Sequence, residues 1–167
     1  MGPHPGASVR GEPGRGELTD LAAGQWDAFH GLAEYRIADA DAQLGPPAED
    51  ELYGGRFGGE PAEFRRYPPT DAAPMGLTCW LLDDAVIGIE IHEPVPDSAA
   101  LETLGPPDLD LESGLGPSFR QHIWASRGLV VHRRDDRIGL LLGLAPIDPD
   151  AWLSDPLRWW AVERRRR

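Results

Sequence analysis

GLTCWLLDDAVIGIEIHEP, Gly76 to Pro94, decides how this chain is read, because it returns at Gly128 to Pro146 as GLVVHRRDDRIGLLLGLAP. Both copies run Gly-Leu, five residues, Asp-Asp, nine residues, Pro. Upstream of each lie a Phe-Arg pair (Phe64-Arg65, Phe119-Arg120) and a Leu-Gly-Pro-Pro (Leu44 to Pro47, Leu104 to Pro107). The separation between partners falls from 60 to 55 to 52 along the chain, so the two copies differ in loop length. An internal repeat of this kind implies one supersecondary unit used twice.

Within each copy the apolar residues alternate, which predicts half-buried strands at about 63–67, 77–82 and 86–92, then 118–124, 129–134 and 138–144. Ahead of them, Leu18, Leu21, Trp26, Phe29, Leu32, Tyr35, Ile37 and Leu44 recur at spacings near three and four, as on one or two helices broken at Gly24 or Gly31. Asp97 is placed to cap a short helix ending at Leu104. Gly-Pro-Pro stops both helices, since glycine accepts a left-handed C-terminal position and proline cannot continue the ladder. The expected fold is therefore α+β. Two tandem helix–β-meander units form one antiparallel sheet of about six strands, with helices on one face.

The expected organisation is a flexible tail over 1–16, repeat units over 17–94 and 95–146, and a C-terminal helix with an arginine-rich end over 147–167. The tail holds five Gly and three Pro without apolar periodicity. Residues 48–61, acidic and glycine-rich, read as a loop. Trp152, Trp159 and Trp160 would pack the closing helix, about 151–162, onto the core.

If the first hairpin turns through Asp83-Asp84-Ala85 and the second through Asp135-Asp136, one face carries Leu77, Cys79, Leu81, Ile87, Ile89 and Ile91 with Leu129, Val131, Ile138, Leu140 and Leu142. The helices would cover that face. The opposite, open face would show Arg65, Tyr67, Thr78, Trp80, Glu90 and His92 from the first unit, and Arg120, His122, Trp124, His132 and Arg134 from the second. Aromatic, histidine and arginine side chains are the types that concentrate binding energy at protein interfaces, so Tyr67, Trp80, Glu90, His92, Arg120, His122, Trp124, His132 and Arg134 are the candidate partner-binding residues.

The pattern of a helix ending in Leu-Gly-Pro-Pro, then three strands with an acidic turn before the last, resembles the repeat of β-lactamase-inhibitory proteins and is similar to single-unit lipoproteins of the SmpA/OmlA type. The resemblance covers roughly Tyr35 to Pro146. It implies binding of another protein through a sheet face and loops, and no catalysis. The chain departs from the secreted inhibitors in lacking their cysteine pairs, and no signal-peptide-like segment opens it. An acidic tandem repeat of this size also resembles the immunity partners of bacterial toxins.

Composition narrows the function further. The net charge of −12 opposes sequence-independent nucleic-acid binding and favours a basic protein partner. No run is long and apolar enough for a membrane span. Cys79, the single cysteine, gives neither a disulfide nor a metal-ligand spacing, so a cytoplasmic, reducing setting is the default. No dinucleotide or phosphate-loop fingerprint is present and no cofactor is expected. Asp83-Asp84 and Asp135-Asp136 are explained by turn chemistry. The alternative is a small biosynthetic enzyme or ligand-binding protein whose pocket lies around Glu90, His92 and His132, one of them acting as a base. A homo-oligomer joined through sheet edges is the third expectation.

Overall fold

The computed structural model describes residues 17–48, 53–57, 60–92, 94 and 98–154. The 1–16 tail, the Trp159-Trp160 pair, the terminal arginine run and Asp97 lie outside the described residues. Eight strands form one antiparallel sheet: β1 (Tyr53–Phe57), β2 (Glu60–Tyr67), β3 (Leu77–Leu82), β4 (Ala85–His92), β5 (Leu109–Glu112), β6 (Arg120–Trp124), β7 (Leu129–Arg134) and β8 (Arg137–Gly143). Their spatial order is β1-β2-β3-β4-β8-β7-β6-β5. Two four-strand meanders therefore abut at their last strands, where Ile89 to His92 pair with Gly143 to Leu140.

This corrects the expectation of about six strands in two helix–β units. Each half has a fourth strand at the sheet edge. The glycines of β1, inside the stretch read as a loop, are poor strand formers and mask it. At four residues β5 is too short to show a period. The helices are short: α1 (Glu17–Ala22), α2 (Ile37–Leu44) and α3 (Ser98–Thr103), with 3-10 turns at Trp26–Ala28, Ala125–Arg127 and Pro149–Ser154. The closing helix expected from about 151 is, as far as it is described, the last of these 3-10 turns.

The paired motifs sit at matching places in the ladders. Both Asp-Asp turns are two-residue loops, closed by Leu82 opposite Ala85 and Arg134 opposite Arg137. Asp83 and Asp84 have φ of 48° and 65°, and Asp135 has 50°, a conformation that Asp tolerates and that twists a two-residue hairpin correctly. A bulge follows in each hairpin, at Trp80/Leu81 and at His132/Arg133, again 52 residues apart. Each bulge shifts the pleat by one residue, and that is where the expected facing of the strands fails. Ile87, Leu140 and Leu142 lie on the face opposite the one assigned to them. The Phe64-Arg65 and Phe119-Arg120 match does not survive either: Phe64 opposes Trp80, whereas the residue opposite His132 is Gln121.

Both sheet faces carry a core. On one, Leu77, Cys79, Leu81, Val86, Ile89, Ile91, Leu129, Val131, Ile138 and Leu141 pack beneath Leu18, Leu21, Trp26, Phe29, Tyr35, Leu44, Leu101 and Leu104. On the other, Ile123, Val130, Leu140 and Leu142 pack beneath Leu144 and Trp152, with Ala62 alongside. Helix α2 is held over β2 by Asp41, which accepts hydrogen bonds from the Tyr67 hydroxyl at 2.7 Å and from Arg65 Nη1 at 3.1 Å. Burial and this bond to Asp41 raise the Tyr67 phenol well above its usual value.

Candidate functional site

The second core covers only part of its face. Over β2, β3 and β4 the same face is partly accessible, with Trp80 and Ile87 packed against the edge of that core, and the register places Phe64, Trp80 and Gly88 in one row and Arg66, Thr78 and Glu90 in the next. The Trp80 indole lies flat across this surface. One end reaches over β1, where a Cβ on Gly55 would stand 2.9 Å from the six-membered ring. Phe64 flanks it, with ring centroids 5.2 Å apart. At the other end Trp80 Nε1 donates to Glu90 Oε2 at 2.5 Å.

Glu90 is 5% exposed and is contacted from a second side, where His92 Nε2 lies 2.6 Å from Oε1. The His92 side chain itself is 68% exposed, so the carboxylate is fixed from within and the imidazole faces solvent. Arg66 lies over the Phe64 ring, 5.5 Å from its centroid, a cation–π arrangement. Phe64, Arg66, Thr78, Trp80, Glu90 and His92 border a shallow hollow of about 370 Å³, which Tyr67, Met75, Gly76, Leu77 and Ile91 also line.

The nine candidate residues thus divide. Tyr67, Trp80, Glu90 and His92 all border the hollow, Tyr67 as a buried side chain. His132 shares their face but is fully buried under the second core, with Nδ1 2.7 Å from Ser113 Oγ. Burial pushes its pKa down to about 4, only partly offset by the charge of Glu90. It does not border the hollow, so the alternative acid–base set of Glu90, His92 and His132 is split.

Arg65, Tyr67, Arg120, His122 and Trp124 lie on the helix-covered face, which corrects their placement on the open one. Tyr67 and Trp124 are core residues, and Trp124 Nε1 donates to the Gly105 carbonyl at 3.2 Å. Arg120 donates from Nε to Asp110 Oδ1 at 2.8 Å, at the far edge of the sheet. His122 stands 3.5 Å from the same oxygen and is lowered in pKa, chiefly by desolvation. Arg134 covers the Phe119 ring at 5.2 Å. Strand alternation places Thr78 beside Trp80 on this face in the sequence; Phe64 and Arg66, which the sequence reading missed, follow from the same alternation once the register is known.

Among the described residues no cluster of three His, Cys, Asp or Glu side chains could hold a metal ion, and no helix is long and apolar enough to cross a membrane. Cys79 is fully buried, and desolvation raises its thiol to about 12. The native protein is expected to leave a thiol reagent such as DTNB unreacted and to release one equivalent of thionitrobenzoate on unfolding in denaturant. Rapid reaction of the native chain would contradict this burial. Comparison with protein-family profiles, curated proteins and solved structures finds no match.

Proposed function

We propose that this chain is a non-enzymatic protein-binding module of the inhibitor or immunity type, using the open sheet face around Trp80. The observation that carries this is the arrangement of Phe64, Arg66, Trp80 and His92 on a broad, rigid and shallow surface. Aromatic and arginine groups preorganised in this way lose little freedom on binding and form the centre of many interfaces. The chain's net charge of −12 favours a basic partner and speeds its approach. A lone buried cysteine suits a reducing compartment, so the cytoplasm is the proposed location.

The test is capture from the native host with the tagged chain, followed by affinity measurement on the protein recovered. Trp80→Ala should weaken binding by roughly thirtyfold, the penalty typical of a central anchor. Arg120→Ala, on the far edge and the other face, should leave it within about twofold. Equal affinities for wild type and Trp80→Ala would remove the open face from the account.

One observation favours a second reading, a small-ligand or acid–base site: the short Glu90–His92 contact beside the hollow. It predicts that a small molecule co-purifies and that Glu90→Gln abolishes its retention. A shallow hollow suits a protein surface better, since small-molecule sites enclose most of their ligand.

A further inference from the structure

The two halves of the sheet offer the same positions to the same face, yet only the second is covered throughout: in the first, Gly88 and Glu90 are buried but Thr78 and Trp80 are not. Thr78 opposes Glu90 and Trp80 opposes Gly88, just as Val130 opposes Leu142 and His132 opposes Leu140, each 52 residues on. In the second half all four positions are closed, between 0% and 4% exposed. The cover is supplied by the chain itself: beyond β8, residues 144–154 turn onto this face and seat Leu144 and Trp152. Beyond β4 the chain instead reaches α3 and the turn that ends it, whose Leu101 and Leu104 pack on the opposite face. Thr78 and Trp80 therefore stay half-exposed beside the hollow.

We infer that the partner covers this hollow with a short basic segment carrying an aromatic anchor, standing where Trp152 stands in the other half. This rests on the protein-binding reading above. The aromatic requirement comes from the second half, where an indole closes the equivalent surface. The basic requirement comes from the exchanges between halves, since Leu142 and Val130 are replaced by Glu90 and Thr78. Glu90 is already only 5% exposed and held by Trp80 and His92; a hydrocarbon cover would remove its remaining contact with water without compensation, whereas an arginine or lysine at the rim of the hollow offsets its charge. Glu90 accepts from Trp80 and His92, and a carboxylate has about four lone-pair sites, so acceptor capacity remains.

The probe is a nonapeptide that copies residues 146–154 with both aspartates exchanged for arginine: Pro-Ile-Arg-Pro-Arg-Ala-Trp-Leu-Ser. Its controls are the parent sequence and the arginine peptide with Trp replaced by Ala. Titrated into the full 15N-labelled chain, the arginine–tryptophan peptide should shift the Trp80 indole N–H and the Thr78 amide. It should bind at least about tenfold more tightly than either control. Glu90→Gln should erase the preference for arginine over aspartate while retaining the preference for tryptophan; Thr78→Val, which leaves Glu90 and its bond to Trp80 in place, should keep both preferences.

Equal binding of the three peptides, or shifts gathered on the helix-covered face, would overturn the inference. So would a shift of the Trp80 indole resonance on removing residues 155–167, which carry two tryptophans and five arginines, because the chain's own end would then be the occupant. Peptide failure with Trp80→Ala still weakening the captured partner overturns only this inference. Failure of both overturns the binding reading itself.

Discussion

Gly128→Ala is expected to lower stability by at least about 3 kcal/mol, or to prevent folding, because the change combines backbone strain with a direct collision. Gly128 has φ of 62°, in the left-handed region. A Cβ there would stand 1.9 Å from the Leu144 carbonyl oxygen, and Leu144 N–H bonds back to the Gly128 carbonyl at 2.6 Å. Neither backbone can retreat without breaking that bond. Gly76, its counterpart 52 residues earlier, has φ of 63° and would bring a Cβ to 2.7 Å from the Tyr67 carbonyl oxygen. The control is Gly105→Ala, where φ is 71° but nothing lies within 4 Å; strain alone should cost about 1 kcal/mol. Denaturant unfolding of the three variants measures the ordering. A Gly128→Ala protein as stable as Gly105→Ala would show that the seam between Gly128 and Leu144 is looser than these distances imply.

Acid should destabilise the protein well above the range in which carboxylates titrate. His132 is fully buried, and its pKa falls from the ordinary 6.5 to about 4. A depressed folded-state value means that the unfolded chain takes up a proton first. The stabilisation is therefore complete above about pH 6.5, declines as pH falls through that value, and is spent by about pH 4. At about 1.4 kcal/mol per pH unit the loss over this window is about 3 kcal/mol. Ser113 Oγ accepts the Leu115 N–H at 3.0 Å and shares a 2.7 Å hydrogen bond with His132 Nδ1, which the neutral ring satisfies in either tautomer. His132→Phe should flatten the stability profile between pH 6.5 and 4, whatever its effect on stability at pH 7. A profile unchanged by the substitution would place the titration elsewhere.

The hairpin turns and helix stops were legible because the chain states them twice, although the strand count and the helix–β units expected from them were not right. Leu-Gly-Pro-Pro does end both helices, with Gly45 and Gly105 at φ of 79° and 71°, and the Asp-Asp pairs do form hairpin turns. What the sequence hid were features without a periodic signal. A bulge at Trp80/Leu81 leaves every residue type unchanged while reversing the pleat, so Ile87 moved to the opposite face unannounced. Both edge strands were missed because an edge strand needs only one neighbour and can be short or glycine-rich, as Gly54-Gly55 and Leu109–Glu112 show. At the site, Trp80, Glu90 and His92 were identifiable from strand alternation. Their departure from His132 was not, because the cover over His132 comes from Trp152, which seats on the sheet from a 3-10 turn carrying no strand or helix period.

Hydroxyl-radical footprinting of the chain, alone and saturated with its captured partner, tests the central claim most directly, because it reports the accessibility of individual side chains. Oxidation of Phe64, Trp80 and His92 should fall on binding, while that of Arg120 and His122 at the far edge stays as in the free protein. Protection at Arg120 and His122, with Trp80 and His92 as reactive as before, would contradict the account and move the binding surface to the other end of the sheet.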